Sequence, residues 1–382
     1  MGLFANQPFN LIIKDFGKIK NQITGRYRIP FRLIIFLGLS LVFFFFTGLP
    51  AFPGETGWKA FYFRDKPASR FVSGKFHEGL IFAGTHSPGA VYSAKIDPLG
   101  SGGKGTILPH PDDPAEAVLD LIVFQNTLYA LVEKSPSEIR RWNRATGAWE
   151  PVPIPPVEGI FFAQVFQNQL YVTGSFKKGI RVLRSAEGRR FEEVAALEDW
   201  AWVPAVFQEA LYLLGHQGTP YSRGKATAYR TRDGSRYEPV PSLEGGAEYQ
   251  CAYPWKGHLY LGTGGWSNDR KASNTARIYR YDGLERQEVL ADIQMNGVTS
   301  LAACGRYLLA LADSGWESDR GTSALYRTVD GMEWTRVKVF DHPEMRKIEI
   351  VDEKAVILLG GKNMEYGVVY LNANDLCPAA GD

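Results

Sequence analysis

The stretch VTSLAACGRYLLALADSGWESDRGTSALYRTVDGMEWTRV, residues 298–337, contains the unit from which most of the chain is built. It predicts an apolar strand, a second strand after the Gly305-Arg306 turn, a third at residues 324–327 and a fourth that begins at Trp334. Asp330-Gly331 lies between the last two strands, and this dipeptide is a strong hairpin signal because glycine tolerates the positive φ of a tight turn. The stretch therefore predicts a four-stranded antiparallel meander.

The second strand of this unit recurs along the chain as two adjacent apolar residues after a short polar turn. Successive copies are 41 to 49 residues apart. Four-stranded propeller blades repeat at roughly 40–50 residues, so the period and the strand content agree. The sequence predicts an all-β, seven-bladed β-propeller from seven copies: Ile81-Phe82, Leu128-Tyr129, Leu170-Tyr171, Leu211-Tyr212, Leu259-Tyr260, Tyr307-Leu308 and Val356-Ile357.

The third strand and the turn after it also repeat, as an apolar residue and an arginine followed by an acidic-Gly turn. The four copies are Arg184 with Glu187-Gly188, Arg230 with Asp233-Gly234, Arg280 with Asp282-Gly283 and Arg327 with Asp330-Gly331. Over about residues 58–371 these features resemble the kelch propellers and the Asp-box propellers of the sialidase and sortilin type. The resemblance implies a fold and no activity, because propellers host many unrelated functions.

The last unit lacks its fourth strand, since only a short tail follows the third strand at Gly367–Tyr370. The strand-like stretch Lys59–Phe63 precedes the first unit and belongs to none of the repeats. We expect residues 58–64 to complete the last blade, because this pairing would cover strand edges that are otherwise exposed templates. The predicted propeller then occupies residues 58–376, with a tail at 377–382.

An apolar segment without charges precedes the repeats, and residues 33–52 are predicted to form a single N-terminal transmembrane α-helix, followed by a linker at 53–57. The leader at 1–32 holds six basic residues against Asp15, so the positive-inside rule places the N-terminus in the cytoplasm. The alternative to this retained anchor is a cleaved signal peptide. Membrane lipid is thus an expected partner of residues 9–52.

Residues 9–24 within the leader have apolar side chains at spacings of three and four. This pattern fits an amphipathic helix on the membrane surface, and the alternative is a disordered basic leader. No Asn-x-Ser/Thr sequon occurs, which argues against a eukaryotic secreted domain. We therefore expect a protein of the bacterial inner membrane whose propeller is periplasmic.

Composition excludes some function classes. The chain has a net charge of +2, and the basic excess lies in the leader, so the main body lacks the basic footprint of a nucleic-acid-binding protein. Cys251, Cys304 and Cys377 are too few and too scattered for a disulfide framework or a zinc site. We expect them to be small buried apolar residues or, for Cys377, a tail thiol.

No catalytic residue, metal site or cofactor is predicted. The four repeated arginines occupy one equivalent position in successive units, which indicates packing or salt bridges between blades rather than a catalytic ring. His110-Pro111-Asp112-Asp113 and Asp341-His342-Pro343-Glu344 lie in loops between units without metal-ligand spacing, so solvated loop residues are expected there. The chain contains no Gly-rich phosphate loop, nucleophile elbow or Cys-His pair.

The loops between second and third strands depart from the repeat, because they lengthen in blades four to six. Two of them contain the same Gly-Trp-x-x-Asp-Arg sequence. Exposed Trp, Tyr and Arg are enriched at binding hot spots, so these loops are candidates for partner binding. The alternative is that each Trp packs on its own blade and each Asp-Arg pair closes its loop. The candidate residues are Tyr221, Arg223, Trp266, Asp269, Arg270, Trp316, Asp319 and Arg320.

These patterns favour a non-catalytic scaffold or accessory subunit of a membrane protein complex, either an energy-transducing or a secretion assembly. Other subunits of that complex are the expected partners. The absence of a catalytic constellation from the sequence supports this hypothesis. Two alternatives remain open: a propeller that binds or hydrolyses sugar or cell-wall material, and an assembly factor for envelope proteins.

Overall fold

The structure is a computed structural model that describes residues 58–63, 70–95, 106–107, 115–218, 225–264, 276–291, 293–314, 321–342, 344–351, 355–362, 366–372 and 376–377. The predicted leader (1–32), transmembrane helix (33–52) and linker (53–57) lie outside these residues. Within the described part of the chain, no helix is long and apolar enough to cross a bilayer.

The described residues form 28 β-strands and one short 3-10 turn, Pro241–Leu243, so the prediction of an all-β fold is confirmed. The strands group into seven four-stranded antiparallel meanders, named sheets one to seven in chain order. Sheets one and two are β2 (Phe71–His77), β3 (Leu80–Gly89), β4 (Val91–Lys95), β5 (Thr106–Ile107), β6 (Ala115–Phe124), β7 (Thr127–Glu133), β8 (Glu138–Asn143) and β9 (Ala148–Val152). Sheets three and four are β10 (Gly159–Phe166), β11 (Gln169–Phe176), β12 (Gly179–Ser185), β13 (Glu192–Leu197), β14 (Trp200–Phe207), β15 (Ala210–His216), β16 (Ala226–Thr231) and β17 (Glu238–Pro239).

Sheets five to seven continue the pattern, and sheet seven takes its fourth strand from the start of the chain. Sheets five and six are β18 (Glu248–Trp255), β19 (His258–Gly264), β20 (Ile278–Tyr281), β21 (Arg286–Leu290), β22 (Gly297–Cys304), β23 (Tyr307–Asp313), β24 (Ser323–Thr328) and β25 (Thr335–Phe340). Sheet seven is β26 (Glu344–Val351), β27 (Ala355–Lys362), β28 (Tyr366–Asn372) and β1 (Trp58–Phe63). Short bridges from β3 to β6 and from β19 to β22 join two pairs of sheets at their edges.

Sheet seven combines both ends of the described chain. β1 pairs antiparallel with β28 over its whole length, from Trp58 opposite Asn372 to Phe63 opposite Gly367. The first strands of neighbouring sheets contact one another in sequence, β2 with β6, β6 with β10, β10 with β14, β14 with β18, β18 with β22 and β22 with β26. β26 in turn contacts β2. Neighbouring sheets are therefore in contact through their first strands in chain order, and sheet seven contacts sheet one.

The first hairpins of sheets two to five turn tightly, and a residue of each turn bonds the next sheet. At Gln125-Asn126 and Gln167-Asn168 both residues have positive φ, the geometry that matches strand twist in two-residue hairpins. The amide of Gln125 donates to the Ala186 carbonyl at 3.0 Å, in the second hairpin of the following sheet. Gln167, Gln208 and Lys256 make the same type of bond at 2.9, 2.9 and 2.7 Å, so the turn residue fixes the neighbouring sheet.

Every first strand contains a bulge within its first five residues. In four of these strands a polar side chain beside the bulge bonds the next first strand. The bonds are Ser73 Oγ to the Val118 carbonyl (2.6 Å), Ala163 N–H to Asp120 Oδ2 (3.0 Å), Cys251 Sγ to the Val298 carbonyl (3.2 Å) and Ile348 N–H to Ser300 Oγ (3.1 Å). A bulge leaves ladder groups unpaired, and these side chains satisfy them. The bonds join the first strands of neighbouring sheets.

The cysteine prediction is wrong in one respect. Cys304, the last residue of β22, forms a disulfide with Cys377, and their Cα atoms are 5.3 Å apart, a usual separation for this bond. Both residues are buried. The two cysteines are 73 positions apart, and no sequence pattern indicates that the end of the chain returns to sheet six. Cys251 remains a free, partly buried thiol.

Candidate functional site

The predicted partner-binding residues all lie outside the described residues: Tyr221, Arg223, Trp266, Asp269, Arg270, Trp316, Asp319 and Arg320. The backbone on either side of each loop is described. Gln217 N–H donates to the Lys225 carbonyl at 2.8 Å, and Ser314 N–H donates to the Thr322 carbonyl at 3.1 Å. The long loops of sheets four and six therefore start and end at the ordered ends of second and third strands.

The repeated arginines contact partners within their own sheets, which corrects the expectation of salt bridges between blades. Arg184 bonds Glu192 on the adjacent fourth strand at 2.5 Å, and Arg230 bonds Glu238 at 2.7 Å. The hydrogen bond to Glu192 is the main cause that raises the pKa of Arg184. Tyr171, which lies opposite Arg184 in the strand register, raises it further. These side chains stabilise the outer strands and form no anion-binding ring.

The expectation of solvated residues is wrong for part of the loop before sheet seven. His342 and Glu344 are buried, at 6% and 0% exposure, whereas Asp341 is exposed. Glu344 is the first residue of β26 rather than a loop residue, and the His342 carbonyl accepts a 2.6 Å hydrogen bond from Ser323 Oγ. His110, Asp112, Asp113 and Pro343 lie outside the described residues.

The residues that depart most from the repeat lie where each first hairpin ends, next to the bulge. We call the cross-strand pair at this position the end pair. The seven end pairs are Arg70–His86, Ala117–Glu133, Gly159–Ser175, Trp200–His216, Glu248–Gly264, Gly297–Asp313 and Glu344–Gly361. The other residues of the second strands are mostly apolar and buried. The end pairs therefore concentrate charge at one end of the first hairpins.

The largest charged group, which we call the end-pair cluster, joins sheets one, six and seven. Arg70 Nη1 lies 2.6 Å from Glu344 Oε1, and both side chains are buried. Arg346 Nη2 lies 3.6 Å from the same carboxylate oxygen, and Arg346 Nε lies 3.4 Å from Asp313 Oδ2. Two guanidinium groups thus face two carboxylates from three different sheets. Removal of one partner from such a buried group leaves an uncompensated charge, so the cluster fixes these sheets against one another.

His86 lies beside this cluster. Burial, and then the positive charges of Arg70 and Arg346, lower the pKa of its imidazole to about 4, although Glu344 opposes the shift. The imidazole is therefore neutral at neutral pH and is a weak base. A side chain with this pKa is poorly matched to general acid-base catalysis near pH 7.

A second polar contact between end pairs joins sheets four and five. His216 Nδ1 lies 2.8 Å from Glu248 Oε2, with 2% and 10% of the two side chains exposed. Gln250, which is the bulge residue of β18, donates to the other carboxylate oxygen of Glu248 at 3.3 Å. His216 and Glu248 belong to the end pairs of sheets four and five. Their contact links these two sheets, as the Arg70–Glu344 ion pair links sheets one and seven.

Aromatic rings pack beside the end pair of sheet four. Phe161 of β10 lies 5.2 Å from Trp200 and 5.5 Å from Trp202 between ring centroids. Phe162 lies 5.8 Å from Trp202. Trp200 and Trp202 are each 8% exposed, so their ring faces are covered by protein rather than presented as a stacking platform. These rings form part of the core between sheets three and four.

The charges in this arrangement balance one another. Carboxylates and guanidinium groups compensate one another in the end-pair cluster, and the neighbouring histidine is neutral. Among the residues that the structure describes, no group of three or more His, Cys, Asp or Glu side chains could hold a metal ion. Sequence reasoning missed the end-pair cluster because its members come from sheets one, six and seven. Alignment of the seven repeats on the bulge would have found them, since charge replaces Ala or Gly there.

Comparisons with known proteins concern the fold. No protein-family model matches the sequence, and no curated protein matches it. The extracellular domain of BT4673 from B. thetaiotaomicron, described as a one-component and as a hybrid two-component system, is similar in two crystal structures. They have TM-scores of 0.59 and 0.60 at 13% and 12% identity, and the matches cover 82% and 83% of this chain.

PorZ, a surface component of the type-IX secretion system of Porphyromonas gingivalis, matches over 85% of this chain at 14% identity with a TM-score of 0.51. The chain spans 40–43% of the length of these solved chains. At such low identity the likeness shows a shared β-rich fold.

Proposed function

We propose that the chain is a membrane-anchored, extracytoplasmic seven-bladed β-propeller that acts as a non-catalytic scaffold or accessory subunit of an envelope protein complex. The observation that carries this proposal is the cyclic order of the first-strand contacts, from β2 to β26 and back to β2. Seven four-stranded sheets in that order, with β1 added to β28, fit a ring that has no open end. A closed ring of this kind is a rigid support for variable loops.

The non-catalytic part of the proposal is supported by the end pairs. Catalytic groups need ionisation states matched to their task, and active sites hold strained or unbalanced charge to obtain them. The end-pair cluster instead balances Arg70 and Arg346 against Asp313 and Glu344, with His86 neutral. Such balance suits a structural role between sheets.

Extracytoplasmic placement is supported by two independent observations. The Cys304–Cys377 disulfide belongs to an oxidising compartment, because thiols are kept reduced in the cytoplasm of most bacteria. The basic leader and apolar segment before residue 53 predict an anchor with its N-terminus in the cytoplasm.

The similar solved domains are an extracellular domain of a signalling system and a surface component of a secretion system. A signalling or secretion assembly is accordingly the class of partner that we propose.

The test is purification of the tagged full chain from membranes in mild detergent, followed by mass spectrometry. We expect a stoichiometric envelope subunit to co-purify. Trp266→Ala with Trp316→Ala should weaken this partner by about 30-fold or more if the two loops bind it, since a hot-spot residue contributes about 2 kcal/mol. The matched control is Leu284→Ala, an apolar truncation at a hairpin turn whose side chain is 79% exposed.

Two outcomes would replace the proposal, and a third would change the binding surface. A chain that co-purifies with no subunit and binds or cleaves cell-wall glycan would support the sugar-acting alternative. Transient capture of unfolded envelope proteins would support an assembly factor. Equal loss of the partner in the Leu284→Ala control would move the binding surface away from the long loops.

A further inference from the structure

The disulfide lies at the place where the first and last strands of the chain meet. β1 and β28 come from opposite ends of the described chain, and strand pairing joins them to each other. Cys377 follows β28 by five residues, and its bond to Cys304 fastens this end of the chain to the first strand of sheet six. The covalent link thus connects sheet seven to sheet six next to the strand pairing that completes sheet seven.

The same apolar cluster contains the disulfide and a residue of β1. Leu376 and Cys377 are 3% and 5% exposed, and they pack with Cys304, at 1%. Trp58, the first residue of β1, packs against this cluster, and its ring lies 5.3 Å from that of Phe340 in an edge-on contact. The disulfide therefore supports the position of both strands, β28 through the chain and β1 through Trp58.

We propose that Cys304–Cys377 is a redox latch for sheet seven: the oxidised form holds β28 and its partner β1 in place, and reduction by the dithiol of a thiol–disulfide oxidoreductase, which becomes a disulfide in turn, releases them. The reduced chain retains the β1–β28 hydrogen bonds but loses the covalent tie of the C-terminal segment. Leu376 then leaves the cluster more readily, and Trp58 loses part of its packing. The inference goes beyond a scaffold role, because it assigns to one bond the control of local opening at the end of the chain.

The latch chemistry balances with a protein disulfide as oxidant. The thiolate of one cysteine attacks a disulfide of a thiol–disulfide oxidoreductase and displaces one of its sulfurs as a thiolate. The second cysteine thiolate then attacks the sulfur of this chain in the mixed disulfide and displaces the other enzyme sulfur. Two electrons pass to the oxidoreductase, and the two thiol protons go to solvent. Because both sulfurs are buried in the closed form, the exchange takes place before sheet seven closes or when it opens.

The first experiment compares three forms of the purified full chain in mild detergent by hydrogen exchange: wild type, Cys304→Ala with Cys377→Ala, and Cys251→Ala as matched control. Cys251 is partly buried and makes no disulfide. In the double variant we expect amide exchange in β1 and β28 to accelerate about tenfold or more, with exchange in β10–β13 unchanged. Exchange in β1 and β28 within about twofold of wild type, or equal acceleration in β10–β13, overturns the latch.

A second measurement covers a double variant that fails to fold. Oxidised wild-type protein is treated with dithiothreitol with and without urea, and free thiols are counted by mass spectrometry after alkylation. We expect reduction of the native form to be at least about tenfold slower than that of the unfolded form, because both sulfurs are buried. Equal rates would show that the bond is exposed and does not hold the closed form. Neither measurement uses a partner, so failure of the latch leaves the scaffold proposal intact.

Discussion

The hydroxyl of Tyr171 on β11 lies against the Cα of Gly234, in the second hairpin turn of the next sheet, where a Cβ would overlap it. The same contact joins Tyr129 to Gly188 and Tyr260 to Gly331. It explains why the Leu-Tyr pair and the acidic-Gly turn recur together. The tyrosine of one sheet packs on the glycine turn of the following sheet. The two repeated motifs therefore form a contact between neighbouring sheets.

Replacing Gly234 by Ala should therefore destabilise the fold for two reasons. Its φ is +73°, a conformation that costs an L-residue about 1–2 kcal/mol, and the new methyl group collides with Tyr171. The matched control is Gly147→Ala, where φ is +63° but nothing lies within 4 Å of the added Cβ. Urea unfolding should show a loss for Gly234→Ala that exceeds the control by about 1–3 kcal/mol. Equal losses would mean that the tyrosine moves aside freely.

The repeat could be predicted because its signals are local. Leu170-Tyr171 and Asp233-Gly234 are short patterns whose spacing fixes strand order, and β1 was expected beside β28 because one unit lacked a strand. The end-pair cluster could not be predicted in this way. Arg70 and Glu344 are 274 residues apart and meet because sheet seven packs against sheet one. Similarly, no local pattern pairs Cys304 with Cys377.

The buried ion pair in this cluster should be sensitive to the loss of one partner. Arg70→Met leaves the Glu344 carboxylate buried with Arg346 as its nearest cation, and we expect a loss of about 3–5 kcal/mol in the free energy of unfolding. Arg144→Met is the control, because Arg144 is 79% exposed in its pair with Glu78, and exposed pairs contribute about 0–1 kcal/mol.

A double variant separates lost charge balance from lost packing. Arg70→Met combined with Glu344→Leu removes both charges, and it should recover a large part of the stability lost by Arg70→Met alone. A double variant that is as unstable as the sum of the two single variants would contradict the pairing.

Stability should fall in mild acid through His86. Its pKa is lowered to about 4 in the folded protein from 6.5 in the unfolded chain, so the unfolded state binds the extra proton first as pH falls. The contribution of His86 to the free energy of unfolding is fully present above about pH 6.5, and it is lost progressively as the pH falls towards 4. Urea midpoints between pH 7.5 and pH 4.5 should decrease less steeply for His86→Gln than for wild type. If the midpoints of His86→Gln and wild type decreased in parallel, groups other than His86 would cause the loss. His258→Gln is the control.

The bulges provide a last prediction, based on Asp120 and Ser73, which follow the bulge at equivalent positions of β6 and β2. Asp120 is buried and accepts hydrogen bonds from the backbone N–H groups of Leu121 at 2.9 Å and Ala163 at 3.0 Å. Burial raises the pKa of its carboxyl group, and the charge of Lys347 and the two N–H hydrogen bonds oppose this rise.

Asp120→Ala should leave two buried N–H groups without an acceptor, each costing about 1–3 kcal/mol, so a total of about 2–6 kcal/mol is expected. Ser73→Ala removes one donor to the Val118 carbonyl, and its expected loss is about 1 kcal/mol, because that carbonyl retains a second lone pair. Urea unfolding of both variants at pH 7 measures the difference. If Asp120→Ala were no more costly than Ser73→Ala, the carboxylate would not be the group that satisfies the bulge, and solvent would have to take its place.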